Sequence, residues 1–231
     1  MRSLVLFPLM VALNMALPAF ARNEPDELVD RWQQRLAETE SALKTGDYSR
    51  AMRVSDRTVS EMAERLGPGE GSTRLFSNAL LQKALAHAGL GEHGEAAWYW
   101  QVVLGLDPKL AETDLSPFGE PAQLLAANIE RQGVRSNVSP GQEIQPPKLV
   151  KRRKPKFPHG AHYFGVAGDL VVEVIVRTDG TVREPRIVTP LPAATLSYAA
   201  LEAVKRWRFE PARSGGQPID VVYNLTVNYK R

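Results

Sequence analysis

The stretch that decides the fold of the C-terminal half lies at residues 169–189 and reads DLVVEVIVRTDGTVREPRIVT. Its first part alternates apolar and polar residues, as a half-buried strand requires. The apolar side chains are Leu170, Val172, Val174 and Val176. Asp179-Gly180 is a strong hairpin signal, and residues 181–189 are predicted to be the returning strand. Pro185 predicts that this second strand is an edge or carries a bulge.

Beyond the hairpin, the pattern changes to a helix and then returns to a strand. Pro190 and Pro192 are predicted to open a helix that runs to about residue 206, because apolar residues follow at helical spacing. Residues 219–229 then form the cleanest strand pattern, with Ile219, Val221, Tyr223, Leu225, Val227 and Tyr229 on one face. The order strand, strand, helix, strand predicts a small α+β unit, an antiparallel sheet with one helix on one face.

The N-terminal half predicts helices and contains an internal repeat. Apolar periodicity predicts helices at residues 27–45, 49–66, 72–90, 94–106 and 121–131. The residues 46–51, GDYSRA, are matched 45 residues later by GEHGEA at residues 91–96. Residues 84–108 resemble a tetratricopeptide repeat (TPR), with Gly91, Ala96, Leu104 and Pro108 in the spacing of that family.

Two readings of the helical region stay open. Two repeats could form an array with a groove that binds partners, or they could form a small helical bundle without a groove. Trp98, Tyr99 and Trp100 would be groove aromatics in the first case and core residues in the second, and we favour core.

Charge and composition divide the chain at a proline-rich basic segment. Residues 136–158 hold six proline or glycine residues and the cations Lys148, Lys151, Arg152, Arg153, Lys154 and Lys156. Such sequence is typical of an extended linker. Residues 22–145 carry 13 basic against 19 acidic side chains, whereas residues 146–231 carry 15 against 7. The net charge of +3 therefore hides an acidic and a basic half, and it gives little reason to expect nucleic acid as a partner.

The start of the chain has the pattern of a secretory signal. Arg2 precedes an apolar run at residues 4–17, and Ala19 and Ala21 stand in an A-x-A arrangement. We predict cleavage between Ala21 and Arg22, so that the protein is exported. An uncleaved membrane anchor is the alternative, but a span needs about 20 apolar residues and this run is shorter.

The C-terminal motifs, taken together, resemble the TonB C-terminal domain family over about residues 146–231. The strongest of them is the block Trp207, Arg208, Phe209, Glu210 and Pro211 at the end of the predicted helix. The other motifs, in order, are Phe157-Pro158 with Ala161, Gly168, Asp179-Gly180-Thr181-Val182, Ala199-Ala200-Leu201 and Gly216-Gln217-Pro218-Ile219. The family often has a Ser-Ser-Gly turn before the helix, where this chain has residues 189–192, TPLP.

The resemblance implies a periplasmic protein of a Gram-negative envelope that takes part in TonB-dependent transport. TonB proteins couple a proton-driven motor to outer-membrane receptors, and their C-terminal domain binds a receptor segment as an added strand. An edge strand can bind an extended peptide through its backbone. The candidate edge residues are Val221, Val222, Tyr223, Asn224, Leu225, Thr226, Val227, Asn228 and Tyr229. The same strand could pair with its own copy in a homodimer.

Four segments are therefore expected. They are a signal peptide at residues 1–21, a helical TPR-like domain at 22–135, a linker at 136–158 and a TonB-like domain at 159–231. A cleaved signal leaves no membrane helix to engage the motor, so we interpret the chain as a TonB-like module without its own motor connection. The alternative is a non-energised envelope scaffold or adaptor that uses the TPR-like domain for protein–protein interaction.

Enzymatic and metal sites are not predicted. The nucleophile-elbow, zinc-helix and P-loop patterns are absent from the sequence, and zero cysteine excludes disulfides and thiolate chemistry. His159 and His162 form a pair without a third ligand nearby in sequence, so we expect no metal and no cofactor. The basic run at residues 148–156 is either a solvated linker or a contact with anionic lipid, peptidoglycan or lipopolysaccharide, and we favour the linker.

Overall fold

The first half of the protein consists of five α-helices in the computed structural model, which describes residues 26–130 and 143–230. The helices are α1 (Asp26–Lys44), α2 (Tyr48–Arg65), α3 (Glu70–Gly89), α4 (His93–Leu106) and α5 (Glu120–Glu130). Each helix begins and ends within two residues of the range that its apolar periodicity predicts, so those predictions are confirmed. Within the two described ranges, no helix combines the length and the apolar character needed to cross a bilayer.

The repeated motif forms the same turn twice. Gly46 and Gly91 both have a φ of 76°, in the left-handed region that glycine adopts without strain. Asp47 and Glu92, the residues that follow, each donate the backbone N–H over 2.9 Å to a carbonyl oxygen in the last turn of the preceding helix. The repeat in the sequence is therefore a repeated helix–turn–helix geometry, first in α1–α2 and then in α3–α4.

The core of the helical half surrounds α3. Buried residues occur around the whole circumference of this helix, because α1, α2, α4 and α5 all pack against it. The largest fully buried side chains of the half are Trp32, Met62, Phe76, Leu85 and Trp100. Trp98 and Tyr99 are also buried, at 3% and 5% exposure, which agrees with the core interpretation of the aromatic run.

The second half alternates short strands with two helices. The strands are β1 (Ile144–Gln145), β2 (Lys148–Lys151), β3 (Gly168–Val176), β4 (Val182–Thr189), β5 (Arg208–Glu210), β6 (Ala212–Ser214), β7 (Gln217–Ile219) and β8 (Val221–Tyr229). The helices are α6 (His159–Tyr163) and α7 (Ala194–Val204). The overall class is α+β, as predicted.

The main sheet is antiparallel with the strand order β4-β3-β8. The predicted hairpin joins β3 to β4, and the side chain of Asp179 accepts hydrogen bonds from the backbone N–H and the hydroxyl of Thr181 over 2.8 and 2.6 Å. These hydrogen bonds hold the pKa of Asp179 below its ordinary value. The bulge predicted at Pro185 is present: the register shifts there, and Glu184 has a φ of 49°.

The prediction of an extended linker is wrong for the described residues of that segment. Residues 143–158 do not form an unpaired connection, because β1 pairs with β6 and β2 pairs with β5. Short strands of two to four residues leave no periodicity from which to predict them. The predicted strand at residues 219–229 is also divided, since Ile219 ends β7 and β8 begins at Val221. The domain boundaries themselves stay a prediction.

The two halves pack together through α7 and α6. Tyr198 of α7 lies edge-on against Phe76 of α3, with the ring centroids 5.3 Å apart. Gly160 at the start of α6 lies so close to the end of α2 that an added Cβ would come within 2.5 Å of the Leu66 carbonyl oxygen. Buried apolar residues of the helices and of the sheet belong to one continuous cluster. The helical half therefore shares a core with the sheet.

Candidate partner-binding edge

The strand β8 forms one edge of the main sheet. All nine of its residues are in register with β3, from Val221 opposite Val176 to Tyr229 opposite Gly168. Within residues 26–130 and 143–230, no other strand pairs with β8. Alternate N–H and C=O groups along β8 therefore point away from the sheet, which is the arrangement that accepts an added strand.

The inner face of β8 is fixed by packing. Val227 is fully buried, and Val221, Leu225 and Tyr229 are 6–7% exposed. The Tyr229 ring lies edge-on against Phe157 at 5.2 Å, and its hydroxyl donates to the Lys156 carbonyl oxygen over 3.3 Å. Burial raises the pKa of Tyr229 above its ordinary value, so the hydroxyl stays protonated. The edge is therefore a rigid element before any partner binds.

The outer face of β8 is mostly polar. It presents Asn224, Thr226 and Asn228, with Val222 as the apolar exception at 39% exposure. The amide of Asn228 donates to Asp169 of β3 over 2.7 Å, which ties this face to the neighbouring strand. Few side chains on this face could select a partner by shape. Binding along β8 would depend chiefly on backbone hydrogen bonds.

The opposite edge of the sheet, β4, is covered by the helical half. Helix α4 packs against β4, and an added Cβ on Gly105 would come within 2.9 Å of the Ile187 side chain. The bulge around Glu184 and Pro185 also makes this edge irregular. Both features are known ways of blocking strand addition. Of the two edges of the main sheet, β8 is the one with which no other strand of residues 26–130 and 143–230 pairs and against which no helix is packed as α4 is against β4.

The motif block at residues 207–211 joins the sheet to the basic segment. The indole of Trp207 donates to the Arg153 carbonyl oxygen over 2.8 Å. Phe209 is buried, and its ring lies edge-on to that of Tyr223 of β8, with the ring centroids 6.3 Å apart. Its backbone N–H donates to the Gly180 carbonyl oxygen over 3.0 Å. Phe209 of the block therefore packs against β8 and is hydrogen-bonded to the hairpin turn.

The other members of the block have mainly local roles. The guanidinium of Arg208 donates to the Trp207 carbonyl oxygen over 2.7 Å, just beyond the end of α7. Glu210 lies opposite Lys148 in the β2–β5 pair, and Pro211 separates β5 from β6. Sequence reasoning identified these residues as a motif, but their contacts join distant segments and no local signal predicts them.

The remaining predicted sites differ in where they fall. Ala21 and Arg22, the predicted cleavage site, lie outside the described residues. His159 begins α6 and His162 lies edge-on against the Phe157 ring at 5.5 Å. In the described ranges, no group of three or more His, Asp or Glu side chains is arranged to hold a metal ion.

Comparison with known proteins places the resemblance in the second half of the chain. Residues 153–231 match the family model for the Gram-negative bacterial TonB protein C-terminal domain. Protein TonB of Klebsiella aerogenes is 31% identical over 80 residues, which cover 34% of this chain and 33% of that protein. Protein TonB of Vibrio cholerae is 26% identical over 116 residues, which cover 50% of this chain and 45% of that protein.

A solved structure, the solution NMR structure of the Pseudomonas aeruginosa TonB C-terminal domain, matches 37% of this chain and 88% of its own. It is 22% identical and superposes with a TM-score of 0.30. The chain spans less than half the length of the curated relatives it matches.

Proposed function

Because residues 153–231 belong to the family of TonB C-terminal domains, we propose that the chain is an envelope protein that binds a partner segment by strand addition along β8. One observation carries the proposal: β8 is a nine-residue edge that is paired throughout on one side, and no strand of the described part of the chain pairs with its other side. Packing against Phe157 and Phe209 holds it in position. A prepared edge reduces the entropy cost of ordering the complex.

The partner that fits this edge is an extended peptide. Backbone hydrogen bonds would supply most of the affinity, and the polar outer face of β8 would tolerate varied side chains. The resemblance points to the periplasm-facing segment of an outer-membrane receptor. The activity proposed is binding in the context of TonB-dependent transport, and no catalytic step is assigned.

We propose that the helical half covers the β4 edge of the sheet and does not bind a separate partner. Its α4 lies along β4, and the Lys205 ammonium that follows α7 pairs with Glu95 of α4. The same Lys205 ammonium lies 4.8 Å from the centre of the Tyr99 ring. Helix α7 packs against both α3 and α4, so this part of their surface is not free for a separate partner. We therefore favour the strand-addition role over the adaptor role.

Disulfide trapping tests the proposal, since the chain has no cysteine of its own. Single cysteines are introduced on the outer face of β8, as Asn224→Cys and Thr226→Cys. The matched controls are Val188→Cys and Thr189→Cys on β4, where both side chains are exposed. Each variant is oxidised with cysteine-bearing peptides from the periplasmic segments of TonB-dependent receptors.

The expected result is adducts on β8 whose yield changes with the position of the peptide cysteine, because an added strand has one register. The β4 variants should give only the background yield. Equal adducts at both edges, or binding that forms no adduct with β8, would overturn the proposal.

A further inference from the structure

The basic segment at residues 148–154 is held in a fixed conformation by the sheet domain. Its first four residues are β2, which pairs with β5. Trp207 contacts the two residues that follow β2, Arg152 and Arg153. Its indole N–H donates to the Arg153 carbonyl oxygen, and the Arg152 guanidinium lies 5.4 Å from the centre of the Trp207 ring. A solvated linker would need neither contact, so the segment is a defined surface of the domain.

The cations of this surface have no acidic partners. Lys148, Lys151, Arg152, Arg153 and Lys154 are exposed, and in the described part of the chain none of them lies within 4.0 Å of a carboxylate oxygen. Lys156, two residues further on, differs because it pairs with Glu64 over 2.5 Å. Within residues 26–130 and 143–230 the segment therefore presents five exposed cations that form no ion pair, although Glu210 lies opposite Lys148 in the β2–β5 pairing.

One pair of these charges is unfavourable in the isolated protein. Lys151 of β2 lies directly opposite Arg208 of β5, and like charges in facing positions destabilise a strand pair. An anionic ligand at this place would relieve the repulsion. The β2–β5 pairing places one acidic residue, Glu210 opposite Lys148, against this set of cations, so positive charge prevails on the surface.

Apolar side chains are exposed among the same cations. Val150, the extra residue at the irregular step in the β2–β5 pairing, is 63% exposed. Leu149 lies opposite the buried Phe209 and so belongs to the other face of the strand pair. Ile144 of the nearby β1 is 39% exposed. Cations beside exposed aliphatic residues are the combination that binds the headgroup region of a bilayer, where the charges meet lipid phosphates and the aliphatic groups enter the acyl boundary.

We propose that residues 148–154 form a contact site for an anionic lipid surface. The charges attract the phosphate headgroups, and Val150 gives the contact an apolar part that a polysaccharide would not satisfy. The site uses neither face nor edge of β8, so membrane contact and strand addition are independent functions of one domain.

Vesicle binding by the full chain tests the proposal. Co-sedimentation is measured with vesicles of phosphatidylcholine alone and with vesicles that contain an equal amount of phosphatidylglycerol. The readout is the increase in binding that the anionic lipid causes, because the apolar run at residues 4–17 would partition into both kinds of vesicle. The test variant combines Lys148→Gln, Lys151→Gln and Lys154→Gln. The matched control combines Arg53→Gln, Arg57→Gln and Lys109→Gln, which removes the same charge from exposed positions of the helical half.

The anionic increment should fall about a hundredfold in the test variant, at about fivefold for each lysine near the surface. The control variant should keep it, and circular dichroism should show both variants folded. Val150→Ser should also lower the anionic increment, because the contact then loses its apolar part. No increment from phosphatidylglycerol, an equal loss in the control, or retention by purified peptidoglycan in place of the vesicles would overturn the proposal.

Discussion

Gly160 lies where the start of α6 meets the end of α2, and it has no room for a side chain. An added Cβ would come within 2.5 and 2.6 Å of the carbonyl oxygens of Leu66 and Arg65. Backbone atoms cannot move aside as a flexible side chain can. We therefore expect Gly160→Ala to lower the free energy of unfolding by about 1–3 kcal/mol, the usual range for overpacking, in urea denaturation.

Gly94→Ala is the matched control for this substitution. Its added Cβ would meet only the guanidinium of Arg183, at 3.0 Å, and that group is the end of a flexible side chain. The control should leave the free energy of unfolding nearly unchanged. If Gly160→Ala is equally neutral, the close approach of α6 to α2 does not hold in solution.

The free energy of unfolding should depend on pH through His87. Burial lowers its pKa below the ordinary value of 6.5, against the effect of its hydrogen bond with Glu92. As pH falls below 6.5, the unfolded chain takes up the proton first, so the folded state loses stability until the pH passes the folded pKa. The free energy of unfolding should therefore decrease on acidification through this window.

The change His87→Gln should remove that contribution to the pH slope, as measured by urea denaturation at several pH values. The exposed His93, at the start of the next helix, provides the control variant His93→Gln. A slope that persists in His87→Gln and disappears in His93→Gln would contradict the assignment.

At the scale of elements, α7 is the helix that joins the two halves. Tyr198 lies edge-on against Phe76 of α3 and also interacts with Tyr99 of α4. Burial raises the pKa of both tyrosines above the ordinary value, so both hydroxyls stay protonated. The contact therefore consists chiefly of ring packing.

Truncating this contact should loosen the halves. We expect Tyr198→Ala to cost about 2–3 kcal/mol of unfolding free energy, because it removes a large and mostly buried ring. Tyr198→Phe, which keeps the ring and removes only the hydroxyl, should cost about 1 kcal/mol or less. Limited proteolysis should cut Tyr198→Ala faster between the halves than Tyr198→Phe. Equal stability and equal cutting of the two variants would argue against α7 as the junction.

Elements with a strong local pattern were predictable from sequence, and elements made by distant contacts were not. Alternation in β3 and β8 and the Asp179-Gly180 turn predicted the main sheet, and glycines 46 and 91 predicted the helical turns. The strands β1, β2, β5, β6 and β7 span two to four residues each, too few to show a period. The start of α7 was placed too early at Pro190, although the helix begins only at Ala194.

The candidate edge was predictable only in part. Alternation identified the residues of β8 and their two faces, but openness is a property of what lies beside a strand. The cover that α4 provides for β4 depends on close packing at Gly105, between segments about eighty residues apart in the chain. Such contacts have no local signal.

At the scale of the whole molecule, the acidic and basic halves are joined by charge as well as by packing. Lys156 pairs with Glu64 and Lys205 pairs with Glu95, each bond crossing from the sheet domain to the helices. The hydrogen bond from Lys156 holds the pKa of Glu64 below its ordinary value. The apolar cluster is nevertheless the larger contact, because it continues from the helical core into the sheet.

A shared core predicts one cooperative transition. Differential scanning calorimetry should show a single unfolding peak, with a calorimetric enthalpy equal to the van't Hoff enthalpy. High salt should shift the peak only slightly, because it screens the exposed ion pairs and leaves the apolar contact intact. Two separate peaks at low salt would show instead that the halves fold independently.

The central claim is that β8 is the edge along which a partner strand adds, and backbone hydrogen exchange tests it most directly. Exchange is followed in the chain alone and with a receptor peptide identified by disulfide trapping. Alternate amides of β8, those that point away from β3, should exchange fast in the free protein and slowly in the complex, while β4 is unchanged. Slower exchange along β4 or the helices, with β8 unaffected by a bound peptide, would contradict the claim.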